Sequence, residues 1–197
     1  MNEGFKETEI GLIPYDWEFV KFKTVLKGGT RNGVYKSKEY HGTGVKIVNM
    51  GELFANPRLF SVPMKRLELK EEEFKRSSIE EGDLLFARRS LVAEGAGKCT
   101  LVCEVNEPTT FESSIIRARP NPKIADSSYV YYFLRSPYGE YLLDTIRRKV
   151  AVAGITGTDL VKLNIPLPSL NEQQNIGKFL SILDEKIRLN KQMNHTL

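Results

Sequence analysis

Apolar and polar positions along the chain fall into two regimes. Through most of its length, short apolar runs are cut by glycines and polar breaks, the spacing of strands joined by turns. VKIVNM (45 to 50), DLLFAR (83 to 88), KCTLVCEV (98 to 105) and SSIIRARP (113 to 120) are the clearest of these runs. Ser127 to Arg135 and Pro137 to Arg148 read as two helices, the second with Ser136 as its cap and Pro137 in its first turn. No repeat of 20 to 50 residues is visible.

The second regime begins at NIPLPS, read as a linker, and continues as one amphipathic helix from Leu170. Pro166 and Pro168 forbid an earlier start, Ser169 can cap, and Glu172 completes a capping box. Alternating steps of four and three give Ile176, Leu180, Leu183, Ile187, Asn190, Asn194 and Leu197, a heptad seam. Phe179, Ile182, Leu189 and Met193 form a second stripe beside it, so the helix should meet more than one neighbour. It would reach roughly 42 Å at 1.5 Å per residue. It could fold back on its own domain, but Asn190 and Asn194 in the seam point to a partner helix whose register they select. The expected fold is therefore α+β: a mixed, strand-rich globule over residues 1 to 165, then a long coiled-coil helical arm over 166 to 197.

Charge sharpens this picture. The net +4 and pI near 9.0 are modest, yet residues 21 to 40 hold six basic residues against the single acid Glu39. Residues 68 to 81 carry six acids and three bases. A positive face and a negative shoulder follow, and a polyanion suits the first. The amino terminus lacks the basic start and apolar run of a signal peptide, and no apolar stretch approaches 18 residues, so a cytoplasmic protein without a membrane span is expected. Cys99 and Cys103 lie about 13 Å apart along an extended strand, too far for a disulfide.

Catalytic signatures fail on inspection. EGAGKC (94 to 99) lacks the first glycine of a phosphate loop, where Val92 stands, and has Cys99 in place of the metal-binding hydroxyl. The two histidines, His41 and His195, have no metal-spaced partner, so neither a metal nor a cofactor is expected. Asp83, Glu94 and Lys98 resemble a nuclease set only superficially. An adenine methyltransferase would show a glycine-rich cofactor loop and an Asn-Pro-Pro-aromatic turn; Asn121-Pro122-Lys123 lacks the second proline and the aromatic.

Three basic, glycine-flanked loops remain. GGTRNGVYKSKEYHGTG (28 to 44) offers Arg31, Asn32, Tyr35, Lys36 and Lys38; LFARRSLVAEGAGK puts Arg88 and Arg89 at a strand end; IRRKVAVAGITGT places Arg147, Arg148 and Lys149 before a small-residue loop with Thr156 and Thr158. These side chains can grip phosphates and reach base edges. The lysines suit phosphates, and Arg88 and Arg89 suit bidentate base readout.

ETEIGLIPYDWEFVKF (7 to 22), EEGDLLFARRS (80 to 90) and NIPLPSLNEQQNIGKFLSILDEKI (164 to 187) resemble the specificity subunits of type I restriction-modification systems. The most specific parts are the Thr-Glu-Ile-Gly-x-Ile-Pro-x-x-Trp opening and the Pro-Leu-Pro-x-x-x-Glu-Gln-x-x-Ile stretch that leads into the helix. The resemblance implies a target recognition domain reading one half of a split double-stranded DNA sequence, followed by a conserved helix. Two such units normally share a chain, so this one resembles a half-subunit or the amino-terminal half of a full subunit. The helix would then pair antiparallel with its own copy or with a second-half helix, and its second stripe would dock adenine methyltransferase subunits. Methylation and ATP-dependent cleavage would belong to those partners and to a restriction/translocase subunit, leaving this chain non-catalytic. Two alternatives stand beside this reading. One is a small metal-dependent nuclease using Asp83 and Glu94. The other is an assembly protein whose basic loops have no role.

Overall fold

A computed structural model describes residues 4–148 and 152–195. In chain order the strands are β1 (Phe5–Thr8), β2 (Gly11–Pro14), β3 (Glu18–Lys21), β4 (Leu26–Asn32), β5 (His41–Val48), β6 (Arg58–Leu59), β7 (Lys65–Leu67), β8 (Leu84–Ala87), β9 (Arg89–Ser90), β10 (Cys99–Val102), β11 (Thr109–Phe111), β12 (Ile115–Pro120), β13 (Ala153–Gly154) and β14 (Asn164–Leu167). The α-helices are α1 (Met50–Ala55), α2 (Glu71–Ser77), α3 (Ser127–Arg135), α4 (Pro137–Ile146), α5 (Gly157–Leu160) and α6 (Leu170–His195). The fold is thus the mixed, strand-rich α+β globule with a long carboxy-terminal helix that the apolar pattern predicts. Among the described residues no helix is long and apolar enough to cross a membrane.

The central sheet runs β4-β12-β8-β10-β6, antiparallel except for the last pair. Alternation along its strands sends side chains to two cores. Leu84, Phe86, Ile116 and Ala118 join Tyr129, Leu134, Leu142 and Leu143 of α3 and α4 on one face. Leu85, Ala87 and Ile115 join Val48, Leu53, Leu59 and Phe111 on the other. Because both faces are covered, LLFA is buried at every position, which is why it reads as a continuous apolar run rather than an alternating one. A second sheet, β11-β5-β7, closes the far core.

Local signals set the helix ends. Ser136 accepts from the Gly139 N–H at 3.2 Å, Asp126 accepts from the Tyr129 N–H at 2.8 Å, and α4 stops two residues short of the expected Arg148. VKIVNM does not continue as a strand to Met50. Asn49 caps α1, its N–H returning to the Glu52 carboxylate at 2.9 Å. The larger difference is NIPLPS, expected as a linker. Its first four residues form β14, paired antiparallel with β3 so that Ile165 lies opposite Val20 and Pro166 opposite Phe19. The edge position tolerates a proline that cannot donate. Cys99 is buried, Cys103 is half-buried, and both are free thiols.

Candidate nucleic-acid interface

Asn32 lies opposite Ile116, and Ile116 lies opposite Phe86. Two antiparallel steps make β4 and β8 run the same way, with strand ends about 10 Å apart at 4.8 Å per step. The segments that follow them, from Gly33 and from Arg88, therefore leave the sheet at one end. Gly33 makes this possible for the first. A Cβ there would stand 2.2 Å from the Phe111 carbonyl and 2.3 Å from that of Glu112, so only glycine lets the chain pass under the neighbouring strand. In the second, the Arg88 N–H donates to Ser114 at 2.8 Å and its guanidinium to the Ser113 carbonyl at 3.3 Å.

Beyond Arg88 the chain forms a short ribbon. β9 pairs with β13, Arg89 opposite Gly154 and Ser90 opposite Ala153, and Arg148 bridges back to Gly154. Arg88, Arg89, Arg148, Val152, Gly154, Ile155 and Thr156 line a cleft of about 360 Å³. A wider one, about 730 Å³, lies on the neighbouring face of β4 and β12 among Lys27, Arg31, Asn32, Lys75, Arg76, Arg117 and Arg119. Arg31 and Arg117 are direct cross-strand neighbours there. Burial, and then the charge of Arg119, pull the Arg117 guanidinium below its ordinary range; it donates to the Ser78 carbonyl. At the rim Lys36 pairs with Glu73 at 2.7 Å and covers the Tyr40 ring at 4.9 Å, while Tyr35 is 84% exposed.

The long helix is fastened along one side. Trp17 donates its indole N–H to Glu172 at 3.2 Å. Gln173 is buried; its amide donates to the Pro168 and Ile124 carbonyls and its oxygen accepts from Asp126 N–H. At Gly177 an added Cβ would stand 3.0 Å from the Tyr129 nitrogen, so α6 touches α3 backbone to backbone. Tyr132 donates to Asp184 at 2.9 Å. At about 100° per residue, Gln173, Gly177 and Asp184 mark the docked side, and Phe179, Ile182, Leu189 and Met193 fall opposite it. Those four are exposed, with Leu183 and Ile187 on the flank between.

The profile of the type I restriction modification DNA specificity domain matches residues 14–197. The chain belongs to that family. In Methanocaldococcus jannaschii, the MjaIX specificity subunit of a type I restriction enzyme is 29% identical over 196 residues, covering 98% of this chain and 44% of that protein. In Escherichia coli, the EcoKI specificity subunit is 27% identical over 181 residues, covering 90% of this chain and 38% of that protein. Among solved structures, the HsdS subunit from Thermoanaerobacter tengcongensis superposes with a TM-score of 0.65 at 19% identity, over 97% of this chain and 43% of that one. A structure from work on complex assembly of the type I R-M system gives a TM-score of 0.70, also at 19% identity, over 98% of this chain and 44% of that one. These last two establish the likeness of fold. The specificity domain described here thus spans less than half the length of the relatives it matches.

Within this specificity domain the expected site residues divide. Arg31 and Asn32 share the larger cleft; Arg88, Arg89, Arg148 and Thr156 share the smaller; Lys36 reaches the rim of the first through Glu73, and Tyr35 and Lys38 are exposed on the same loop. Arg147 is a correction. Its side chain is 6% exposed, donating to the Ala96 carbonyl at 2.7 Å and paired with Glu140 at 2.7 Å and Asp144 at 3.3 Å, so it ties α4 to the loop before β10. Thr156 is also spoken for: it caps α5 and donates to Asp159 at 2.7 Å, and Asp159 in turn pairs with Arg148 at 3.1 Å. Lys149 and Leu197 lie outside the described residues. On the helix, Ile176 packs against the globule's own core rather than in a free seam, and Leu180 is half-buried. Leu183, Ile187, Asn190 and Asn194 remain exposed. Glu172 serves Trp17 instead of closing the capping box, although the Ser169 hydroxyl does accept from Glu172 N–H at 3.3 Å. Asp83 is fully buried with both oxygens held by Arg119, at 2.7 and 2.8 Å, which removes it from any nuclease set. Sequence reading missed Lys27, Lys75, Arg76, Arg117 and Arg119. The alternation in IIRARP was the available signal, because it puts both arginines on one strand face.

Proposed function

We propose that this chain supplies sequence recognition to a type I restriction-modification complex, reading one half of a bipartite site in double-stranded DNA. It performs no catalysis itself. Adenine methyltransferase subunits dock on the long helix, and a restriction/translocase subunit joins through the assembled complex in the cytoplasm. The observation that supports this most is the shared sheet end. The Arg31–Asn32 and Arg88–Arg89 segments leave it side by side, so two basic clefts can face one polyanion. Exposed Lys38 and Arg148 suit phosphates; Arg88 and Arg89 suit guanine edges.

Its exposed stripe leaves α6 free to pair with a second copy of the chain or with the corresponding helix of a second recognition unit. At 1.5 Å per residue its length is about 39 Å. That is comparable to one turn of duplex, about 34 Å, which sets two recognition units on one face of the DNA. The test is fluorescence anisotropy of labelled duplex with this chain and its methyltransferase partner, over a range of salt. Affinity should fall steeply with salt, and Arg88→Ala with Arg89→Ala should flatten the preference among single-base variants of the selected site. Salt-independent or absent binding would refute recognition and leave an assembly role.

A further inference from the structure

The β9–β13 ribbon ends in aliphatic side chains that the fold itself does not cover. Leu91 is 89% exposed and Val92 next to it is exposed as well; Val152, one residue beyond the Ser90–Ala153 pair, is exposed too and lines the cleft with Arg88, Arg89 and Arg148. Exposed leucines are ordinary when they stand singly; three exposed aliphatics at the end of one ribbon, beside a cleft lined by three arginines, mark a contact surface. The tip is also held in shape. Ser90 Oγ accepts from the Val92 N–H at 3.2 Å, and a Cβ on Gly95 would stand 2.1 Å from that same oxygen, so the loop folds tightly beneath Leu91. The Ile155 N–H donates to the Arg88 carbonyl at 3.0 Å, anchoring the other strand of the ribbon. A two-stranded ribbon fits the major groove of B-form DNA, about 12 Å wide. The apolar feature that groove displays is the 5-methyl group of thymine.

The geometry points to Leu91 as a reader of a thymine methyl group in the major groove, with Arg148 on a flanking phosphate. This rests on the DNA-recognition reading above and adds a base class to it: an A·T pair with its thymine methyl against the ribbon tip. The three arginines of the adjoining cleft favour DNA over an apolar protein groove, because their guanidinium groups would lose hydration there without gaining anions.

The experiment is a selection of bound duplexes from a randomised pool, using this chain with its methyltransferase partner. Each thymine of the recovered site is then replaced by deoxyuridine, which deletes the methyl group alone. One replacement should weaken binding about fourfold, the worth of a single buried methyl. In Leu91→Ala that sensitivity should vanish, while Leu91→Met retains it and circular dichroism shows all three chains folded. Deoxyuridine having no effect at any position, or its effect persisting in Leu91→Ala, overturns the assignment while leaving DNA recognition standing. Loss of methyltransferase association in Leu91→Ala with unchanged DNA affinity overturns it in favour of a protein contact. A pool that yields no preferred sequence overturns both this assignment and the reading beneath it.

Discussion

The Trp17 indole N–H donates to the Glu172 carboxylate across 3.2 Å, so the opening stretch of the chain touches the stretch that leads into α6. Their residues hold α6 to the globule: Glu172 through Trp17, Gln173 through three hydrogen bonds, Ile176 through the core. Glu172→Ala should cost about 1.5 to 3 kcal/mol, the range for a hydrogen bond to a charged group. Trp17 is the sole tryptophan, so its emission reports the helix junction directly. Urea unfolding of the variant should show the lower midpoint together with a red-shifted native emission; an unshifted midpoint would mean that the bond is not formed in solution.

Asp83 and Arg119 present a buried charge whose removal has a definite sign. Asp83 is wholly inaccessible and accepts two guanidinium hydrogen bonds and the Glu80 N–H at 2.8 Å. Asp83→Ala takes two of its hydrogen bonds from Arg119, which keeps only the exposed Glu80 carboxylate and the Ser78 carbonyl, and removes the acceptor of the Glu80 N–H; stability should fall by about 3 to 5 kcal/mol. Thermal unfolding within a degree or two of the parent would contradict this.

Lys36 pairs with Glu73, whose carboxyl the lysine keeps below the usual carboxylate range. Glu73→Gln removes an acid from the edge of the larger cleft and frees the ammonium. DNA affinity should rise, and the dependence of log K on log salt should steepen by about one unit. An unchanged slope would show that Lys36 stays clear of the phosphates.

Self-association should follow the face opposite the globule. Phe179→Asp with Ile182→Asp should abolish dimers in sedimentation and leave the melting temperature nearly unchanged, because both side chains are exposed. Leu180→Asp should instead lower the melting temperature, since that position is half-buried on the docked flank. Dimers that survive the double substitution would put the contact elsewhere.

Short-range signals were legible in the sequence. The start of α3, the Ser136 cap and the start of α6 at Leu170 all came from residues within a turn of the boundary they mark. Whatever depended on a distant partner was not. Arg147 looked like its neighbour Arg148, and only the approach of Ala96 and Glu140 separates the two. The heptad count from Ile176 was regular, yet it could not show that Gly177 and Ile176 face α3 and the core. NIPLPS read as a linker because its prolines suppress the strand signal, while β3, which pairs with it, lies at the opposite end of the globule's sequence. Leu91 carried no signal at all, for an aliphatic residue between arginines gains meaning only when the fold leaves it bare.

That same pairing of β3 with β14 orders events in time. Ile165 meets Val20 across nearly the whole globule's length of chain, and closing so long a loop carries an entropy cost that local turns do not. This small sheet should therefore form late in folding. Only Pro168 and Ser169 separate β14 from α6, so the direction of the helix is tied to that strand. In a chain made from its amino terminus, β3 has no partner strand until residues 164–167 have been added, and α6 follows them. Until that strand is in place, α6 has no fixed direction relative to the globule.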